Sequence, residues 1–263
     1  MTRRAPPGPT DSSKDASLRG AQSAQSALNS ALSADVATVP GVGPPRRSAL
    51  QARGIVTLAD ALMSLPYRYE DLRRRDDIAS LRPGDNSVLE GILQNVADRP
   101  MPGRWSRRMA TALLRQTSGK SIRVVWFNLH SGGLPAGEPL VLVGRVTSTP
   151  NGMLQLVHPE IYRLRANTIP AIRAVYSLPP EIPQRMFASI VGRAFERAIE
   201  SSLDAIPSEL RQRAQVCEII DALRYLHQPP AAADLKELQS SASAAHRALV
   251  MNEMFTFQLA LAQ

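Results

Sequence analysis

Between Ser87 and Tyr162 the chain repeats one rhythm: an alternating or β-branched stretch, a turn signal, then another stretch. The stretches are Ser87 to Val96, Met109 to Gln116, Ser121 to Asn128, Pro139 to Thr149 and Gly152 to Tyr162. In the first, Val88, Glu90, Ile92, Gln94 and Val96 fall on one face and Leu89, Gly91, Leu93 and Asn95 on the other, the period of two that a strand imposes. The connectors carry Gly119, Gly132-Gly133, Gly137 and Asn151-Gly152, the last a two-residue hairpin signal. Five strands in about 80 residues, joined largely by hairpins, predict a small closed barrel, and the OB-fold is the commonest design of that size.

One of these turns imitates another motif. Thr117-Ser118-Gly119-Lys120-Ser121 contains the Gly-Lys-Ser of a nucleotide-binding loop. Such a loop also needs a glycine five positions before Gly119, which here is Leu114, and it must open a helix whose N-terminus faces phosphate. Ile122 to Phe127 alternates as a strand instead, so the segment reads as a hairpin turn and supplies no ATP site.

Helical stretches flank the barrel. Residues 1–37 are rich in Ala, Ser, Gln, Pro and Gly, too poor in apolar surface to offset their ordering entropy, and a disordered tail is expected. From Val39, the turn Pro40-Gly41-Val42-Gly43-Pro44 leads to a helix from Arg46 to Arg53 stopped by Gly54. Thr57 then caps a helix from Leu58 to Leu65, ended by Pro66. In a helix-hairpin-helix of this kind the N–H groups at Gly41 and Gly43 can hold a DNA phosphate; equally, the glycines can serve only the sharp turn while Val42 plugs the local core. After Pro170 come helices from Pro183 to about Leu203, Ser208 to Arg213 and Val216 to His227. One long helix then runs from Asp234, with Leu249, Phe255, Phe257, Leu259 and Leu261 crowding its last turns.

The expected fold class is therefore mixed α+β: a helix-hairpin-helix start, a five-stranded OB-like β-barrel, then a helical C-terminal segment ending in a long helix. The expected divisions are a tail (1–37), the helix-hairpin-helix with a basic linker (38–80), the barrel (81–165) and the helical segment (166–263).

The formal net charge is +8 and the pI about 10.3. Arginine supplies most of the excess, and its planar fork matches phosphate, so nucleic acid is the favoured partner. Cys217 is the single cysteine, which excludes an intramolecular disulfide and a cysteine-cluster metal site. His130, His158, His227 and His246 lack ligand spacing and read as satisfied polar residues, so no metal is expected. No apolar run is long enough to span a membrane and no secretory signal opens the chain, so a cytoplasmic location is expected, with neither a membrane nor a small-molecule substrate as partner.

The segment Asp98 to Arg108 places Arg99, Arg104, Arg107 and Arg108 around Trp105. As the loop between the first two barrel strands it holds the arginine-plus-aromatic chemistry that grips single strands, unless it is a solvated loop whose Trp105 tucks back on the barrel. Lys120, Arg123 and Arg145 extend the track if they share its outer face. Arg73, Arg74 and Arg75 are equally consistent with a solvated linker.

An ordered series of strings then meets a known family. Gly41-Val42-Gly43-Pro44, Leu62 to Tyr69 with Glu70-Asp71, Val125 to Asn128, Gly152 to Glu160, Pro170 to Leu178, Leu226 to Pro229 and Asn252 to Leu261 together resemble the opening part of the bacterial RecG branch-migration helicases. The resemblance implies an OB-fold wedge domain (81–165) that binds branched DNA, replication forks and Holliday junctions, in repair and recombination. It implies that ATP and Mg belong to RecA-like motor lobes whose motifs do not occur in this sequence, so no catalytic residue and no cofactor is expected here. It implies a base-capping aromatic at Phe127, which core packing could also explain. A second aromatic found four residues later in some members is Ser131 here. The apolar C-terminal helix fits a non-catalytic subunit docking a separate motor chain, or a fragment without function.

Overall fold

The computed structural model describes residues 32–101, 104–129, 131–164, 169–198 and 206–262, with backbone alone at residues 100, 101 and 104–108. The strands are β1 (Arg68–Asp71), β2 (Asn86–Met101), β3 (Arg104–Arg115), β4 (Ser121–Phe127), β5 (Pro139–Ser148), β6 (Leu154–Val157), β7 (Glu160–Arg163) and β8 (Ile172–Val175). The helices are α1 (Pro44–Gln51), α2 (Leu58–Met63), α3 (Gln184–Ala198), α4 (Ser208–Ala214), α5 (Ile219–His227), α6 (Leu235–Gln239) and α7 (Ala244–Leu261). Contacts gather Asp71–Ile172 into one unit, and the described residues up to Glu70 with those from Arg173 onward into another. The basic segment 71–80, expected in a linker, thus belongs with the barrel.

The barrel closes in the order β2-β3-β4-β6-β5, and β5 returns to pair with β2 from Asn86↔Arg145 to Ile92↔Pro139. Every pairing in the ring is antiparallel except β4 with β6. A single long strand closes the ring because β2 changes partner midway, serving β5 up to Ile92 and β3 from Ile92 on. Gly91 sits at that corner, facing inward, where a Cβ would lie 2.6 Å from the Arg115 carbonyl oxygen. Leu89, Leu93, Leu114, Val124, Leu140, Leu142 and Leu156 fill the interior and are almost wholly buried.

Three details depart from the alternation read in sequence. The expected loop 98–108 is an extension of β2 and β3, paired as far as Met101↔Arg104. Secondly, a bulge interrupts the register between Gln94 and Ala97, with Asn95 at φ 52°. The extra residue turns Val96 to the interior, against the core, instead of leaving it on the face with Gln94. Finally, the expected strand Gly152 to Tyr162 is two strands, β6 on β4 and β7 on β5, broken at His158-Pro159. Outside the ring a smaller cluster of Leu72, Val88, Val141, Val143 and Tyr162 covers the opposite face of β2 and β5. Arg73, Arg74 and Arg75 hold the strap over it through Asp71, Asp76 and Glu90, with Arg74 also donating to the Asn86 carbonyl. The turn at Gly119 (φ 82°) joins β3 to β4, the Gln116 N–H donating to the Lys120 carbonyl and the Gly119 N–H to the Gln116 carbonyl, and a strand follows it, as a hairpin requires.

In the helical unit, order begins before the expected Val39. Leu32 and Val36 are buried, and Asp35 caps a short 3-10 turn while its carboxylate pairs with Arg47. The remainder of the expected disordered tail, residues 1–31, lies outside the described residues. Pro44 starts α1 two residues early, as its fixed φ allows at a first helical position. Thr57 caps α2 in a reciprocal box with Asp60, and strands β1 and β8 pair beside it, joined by the Glu70–Arg173 ion pair. The single long helix expected from Asp234 is α6 and α7, because Ser240 bonds back to the Lys236 carbonyl, Ser241 turns to φ 55° and Ser243 caps α7 anew.

His227 knots this unit together. Its Nε2 lies 2.8 Å from the Leu62 carbonyl oxygen, so Nε2 carries the proton, and Nδ1 accepts from the Tyr176 hydroxyl at 2.9 Å. Burial holds its pKa down at about 4 against the opposing pull of the Leu62 bond, so the ring is neutral near pH 7.

Candidate nucleic-acid interface

Strand β4 buries Ile122, Val124 and Trp126 in the barrel, so Ser121, Arg123, Val125 and Phe127 face outward. The last three residues of β4 are tied to the link between β6 and β7. The Val125 carbonyl accepts from the His158 N–H at 2.8 Å, and the Trp126 indole donates to the Pro159 carbonyl at 3.1 Å. The Phe127 N–H donates to His158 Nε2 at 3.1 Å, and the two rings meet with centroids 5.4 Å apart, tilted by 55°. Phe127 is half-buried and His158 exposed. His158 holds φ 50°, a left-handed conformation, which the bonds on either side of it maintain.

Strand register places other residues on the same outer face. Arg99 lies opposite Met109, and Met109 opposite Phe127. Neighbours in such a row are about 5 Å apart, so the exposed Arg99 stands about 10 Å from Phe127. Two steps further, Gln94, Leu113, Arg123 and Gln155 form a parallel row, then Ile92, Arg115 and Ser121. Arg115 is exposed and pairs with no acceptor among the described residues. It borders a groove of about 820 Å³ lined also by Arg75, Glu90, Ile92, Gln94 and Gly119.

Of the residues singled out in sequence, Phe127, Arg123 and Arg99 are thus brought to one face. Lys120 is at the other end of β4, roughly 23 Å along the strand, 3.6 Å from the carboxylate of Asp77. The Ala79 N–H, and after it Lys120, hold that carboxyl below the usual range. Arg145 is on β5 opposite Asn86, where its Nε donates to the Gly84 carbonyl at 3.3 Å. The side chains of Arg104, Trp105, Arg107 and Arg108 lie outside the described residues, though the backbone sets their strand β3 on the hairpin beyond Met109 and Arg99. Gly41 and Gly43 belong to the helical unit. There Val42 is buried, Arg46 donates to the Gly41 carbonyl at 2.8 Å, and Pro44 and Pro45 remove two of the N–H groups a helix start would offer an anion.

Sequence reasoning missed His158, Met109 and Arg115. The signal for His158 lay in its positive φ before a proline, which no spacing rule reveals. Among the described residues no acidic, histidine and cysteine group could hold a metal, and no helix is long and apolar enough to cross a membrane. An open face carrying an aromatic pair with arginines around it offers stacking and phosphate neutralisation.

Residues 35–197 match the family model of the RecG wedge domain. The ATP-dependent DNA helicase RecG of Escherichia coli O127:H6 is 26% identical over 235 residues, covering 86% of this chain and 33% of the relative. That of Bacillus subtilis is 25% identical over 231 residues, covering 85% and 31%. The chain therefore spans about a third of the length of the curated relatives it matches. A solved structure of RecG bound to a three-way DNA junction shares the fold over 80% of this chain and 29% of its own, with a TM-score of 0.63 at 24% identity.

Proposed function

This chain belongs to the RecG wedge family, and from that premise we propose that its barrel binds branched DNA, replication forks and Holliday junctions, as the recognition part of a RecG-like branch-migration helicase. The observation that carries the reading is the outward Phe127 at the end of β4, in register with Met109 and Arg99. A wedge has two tasks. It neutralises the phosphates of the arms, and it covers a base left without its partner where they separate. Phe127 covers the base, Arg99 and Arg123 meet the phosphates beside it, and Arg104, Trp105, Arg107 and Arg108 continue the track along the hairpin. Lys120 and Arg145 stand apart, held at Asp77 and at the Gly84 carbonyl in the irregular segment before β2. ATP hydrolysis belongs to RecA-like lobes outside this sequence.

The test compares a fork with intact duplex over a range of salt. Phe127→Ala is expected to weaken fork binding by about 1–3 kcal/mol and to leave duplex binding nearly unchanged. Replacing Arg104, Arg107 and Arg108 together is expected to flatten the salt dependence by about one unit of log–log slope for each lost phosphate contact. Far-ultraviolet circular dichroism first establishes that the variants fold. Equal losses on fork and duplex from a folded Phe127→Ala protein would rule out base capping, and an unchanged slope would move the phosphate track elsewhere.

A second reading, a non-catalytic subunit that docks a separate motor chain, is favoured by α7. Val250, Met254, Phe257 and Leu261 recur at heptad spacing and are each more than half exposed. Co-purification with a separately expressed RecG motor segment is expected under this reading and is lost on Phe257→Asp. A complex that survives that substitution argues against α7 as the contact.

A further inference from the structure

We propose that His158 is the second ring of the base-capping platform and contacts the unpaired nucleotide beside Phe127. The proposal rests on the reading that Phe127 caps a base, and adds to it a residue from another strand. The position at which some relatives would place a second aromatic is Ser131, which has no ring and whose N–H is held by Asp98 at 2.8 Å. The structure supplies a ring from elsewhere. His158 leaves the end of β6, which pairs in parallel with β4, and so arrives beside the end of β4 although it is 31 residues away in sequence.

Its geometry suits contact better than packing alone. The two rings are tilted by 55° and therefore do not cover one another's faces. Because Nε2 accepts from the Phe127 N–H, the proton of a neutral ring is on Nδ1. That N–H has no acceptor among the described residues, and the side chain is exposed. A nucleotide seated on Phe127 meets, at its edge, an imidazole face and a free donor. The bond that the His158 N–H donates to the Val125 carbonyl holds its backbone, and the bond its Nε2 accepts from the Phe127 N–H holds the ring before DNA arrives, so little rotamer freedom remains to be lost on binding.

The full chain carries the experiment. His158→Asn removes the ring while keeping a residue that tolerates positive φ. Fork binding is measured with 2-aminopurine as the unpaired base at the branch point, beside Phe127→Ala and the double variant. His158→Asn is expected to lower fork affinity about tenfold with little effect on duplex. It is expected to relieve part of the 2-aminopurine quenching, and the double variant to lose less than the product of the two single losses. On the unsubstituted chain, the His158 ring-proton resonances are expected to shift on adding fork and not on adding duplex, a readout that needs no variant to fold. Parental fork affinity in His158→Asn, or ring resonances that ignore the fork, overturns the proposal and leaves His158 as a clamp on β4. If Phe127→Ala also binds as the parent does, the base-capping reading falls with it.

Discussion

Gly91→Val is expected to unfold the barrel at temperatures where the parent chain is intact. An added Cβ would meet the Arg115 carbonyl oxygen at 2.6 Å, with the Arg115 carbonyl carbon and Leu114 Cδ1 both at 3.1 Å. Two of those three atoms are backbone, and the backbone in question is paired to β2 at Ile92↔Arg115, so no rotamer change relieves the clash. The strands would have to part at the corner where β2 passes from β5 to β3. The cost is about 3 kcal/mol or more, at the upper end for overpacking, and corresponds to a fall in Tm of roughly 10–20 °C for a domain of this size. Fluorescence of Trp126, buried in the same core, follows the transition. Gly133→Ala, where a Cβ meets nothing within 4 Å, serves as the control. A Gly91→Val protein melting with the parent would mean that the corner is looser than its geometry.

Acid is expected to weaken the helical unit well before carboxylates titrate. The buried His227 takes a proton only near pH 4, whereas an unfolded histidine takes one near its ordinary value of 6.5. Between those values the unfolded chain binds more protons, so stability is fully present above about pH 6.5 and declines as the pH falls towards 4. The shift corresponds to a loss of about 3 kcal/mol across that window. His246 on α7, also lowered by burial, acts in the same direction and needs its own His246→Gln control. Urea unfolding followed at 222 nm, at pH 7.5 and pH 4.5, should show the difference. His227→Gln keeps a donor for the Leu62 carbonyl, and should flatten the pH dependence while lowering stability at neutral pH. A pH profile identical to the parent's would place the acid sensitivity elsewhere.

The barrel was legible because its interior residues recur every second position and its turns use Gly119 and Asn151-Gly152, both local signals. Less was legible wherever a distant partner decides the local conformation. The segment Asp98 to Arg108 read as a loop, yet β2 and β3 pair as far as Met101↔Arg104. Pro100 stands near the tip of that hairpin, where a missing N–H costs little. The bulge at Asn95 and the break at His158 both depend on which strand lies alongside, and β1 finds β8 only after about a hundred intervening residues. At the candidate site, Phe127 was named from a family position and Arg123 only as an extension of the basic track, on condition that it shared the outer face. His158 was set aside as an isolated polar residue, since its neighbour in space is far along the chain. The arginines at 73 to 75, equally consistent in sequence with a solvated linker, are occupied by Asp71, Asp76 and Glu90.

The discontinuity of the helical unit sets an order of events on the ribosome. Residues up to Glu70 leave the exit tunnel with Leu58 and Leu62 uncovered, and their partners, Phe187 and His227 among them, arrive only after the whole barrel has been made. At about 5–20 residues per second the wait is roughly 5–20 s or longer, far beyond the time a small barrel takes to fold. The barrel is therefore finished first, and its completion brings β8 within reach of β1. Until then Leu58 and Leu62 of the nascent N-terminal helices stay without the core that covers them, and slow codons downstream of Ile172 would lengthen that exposure.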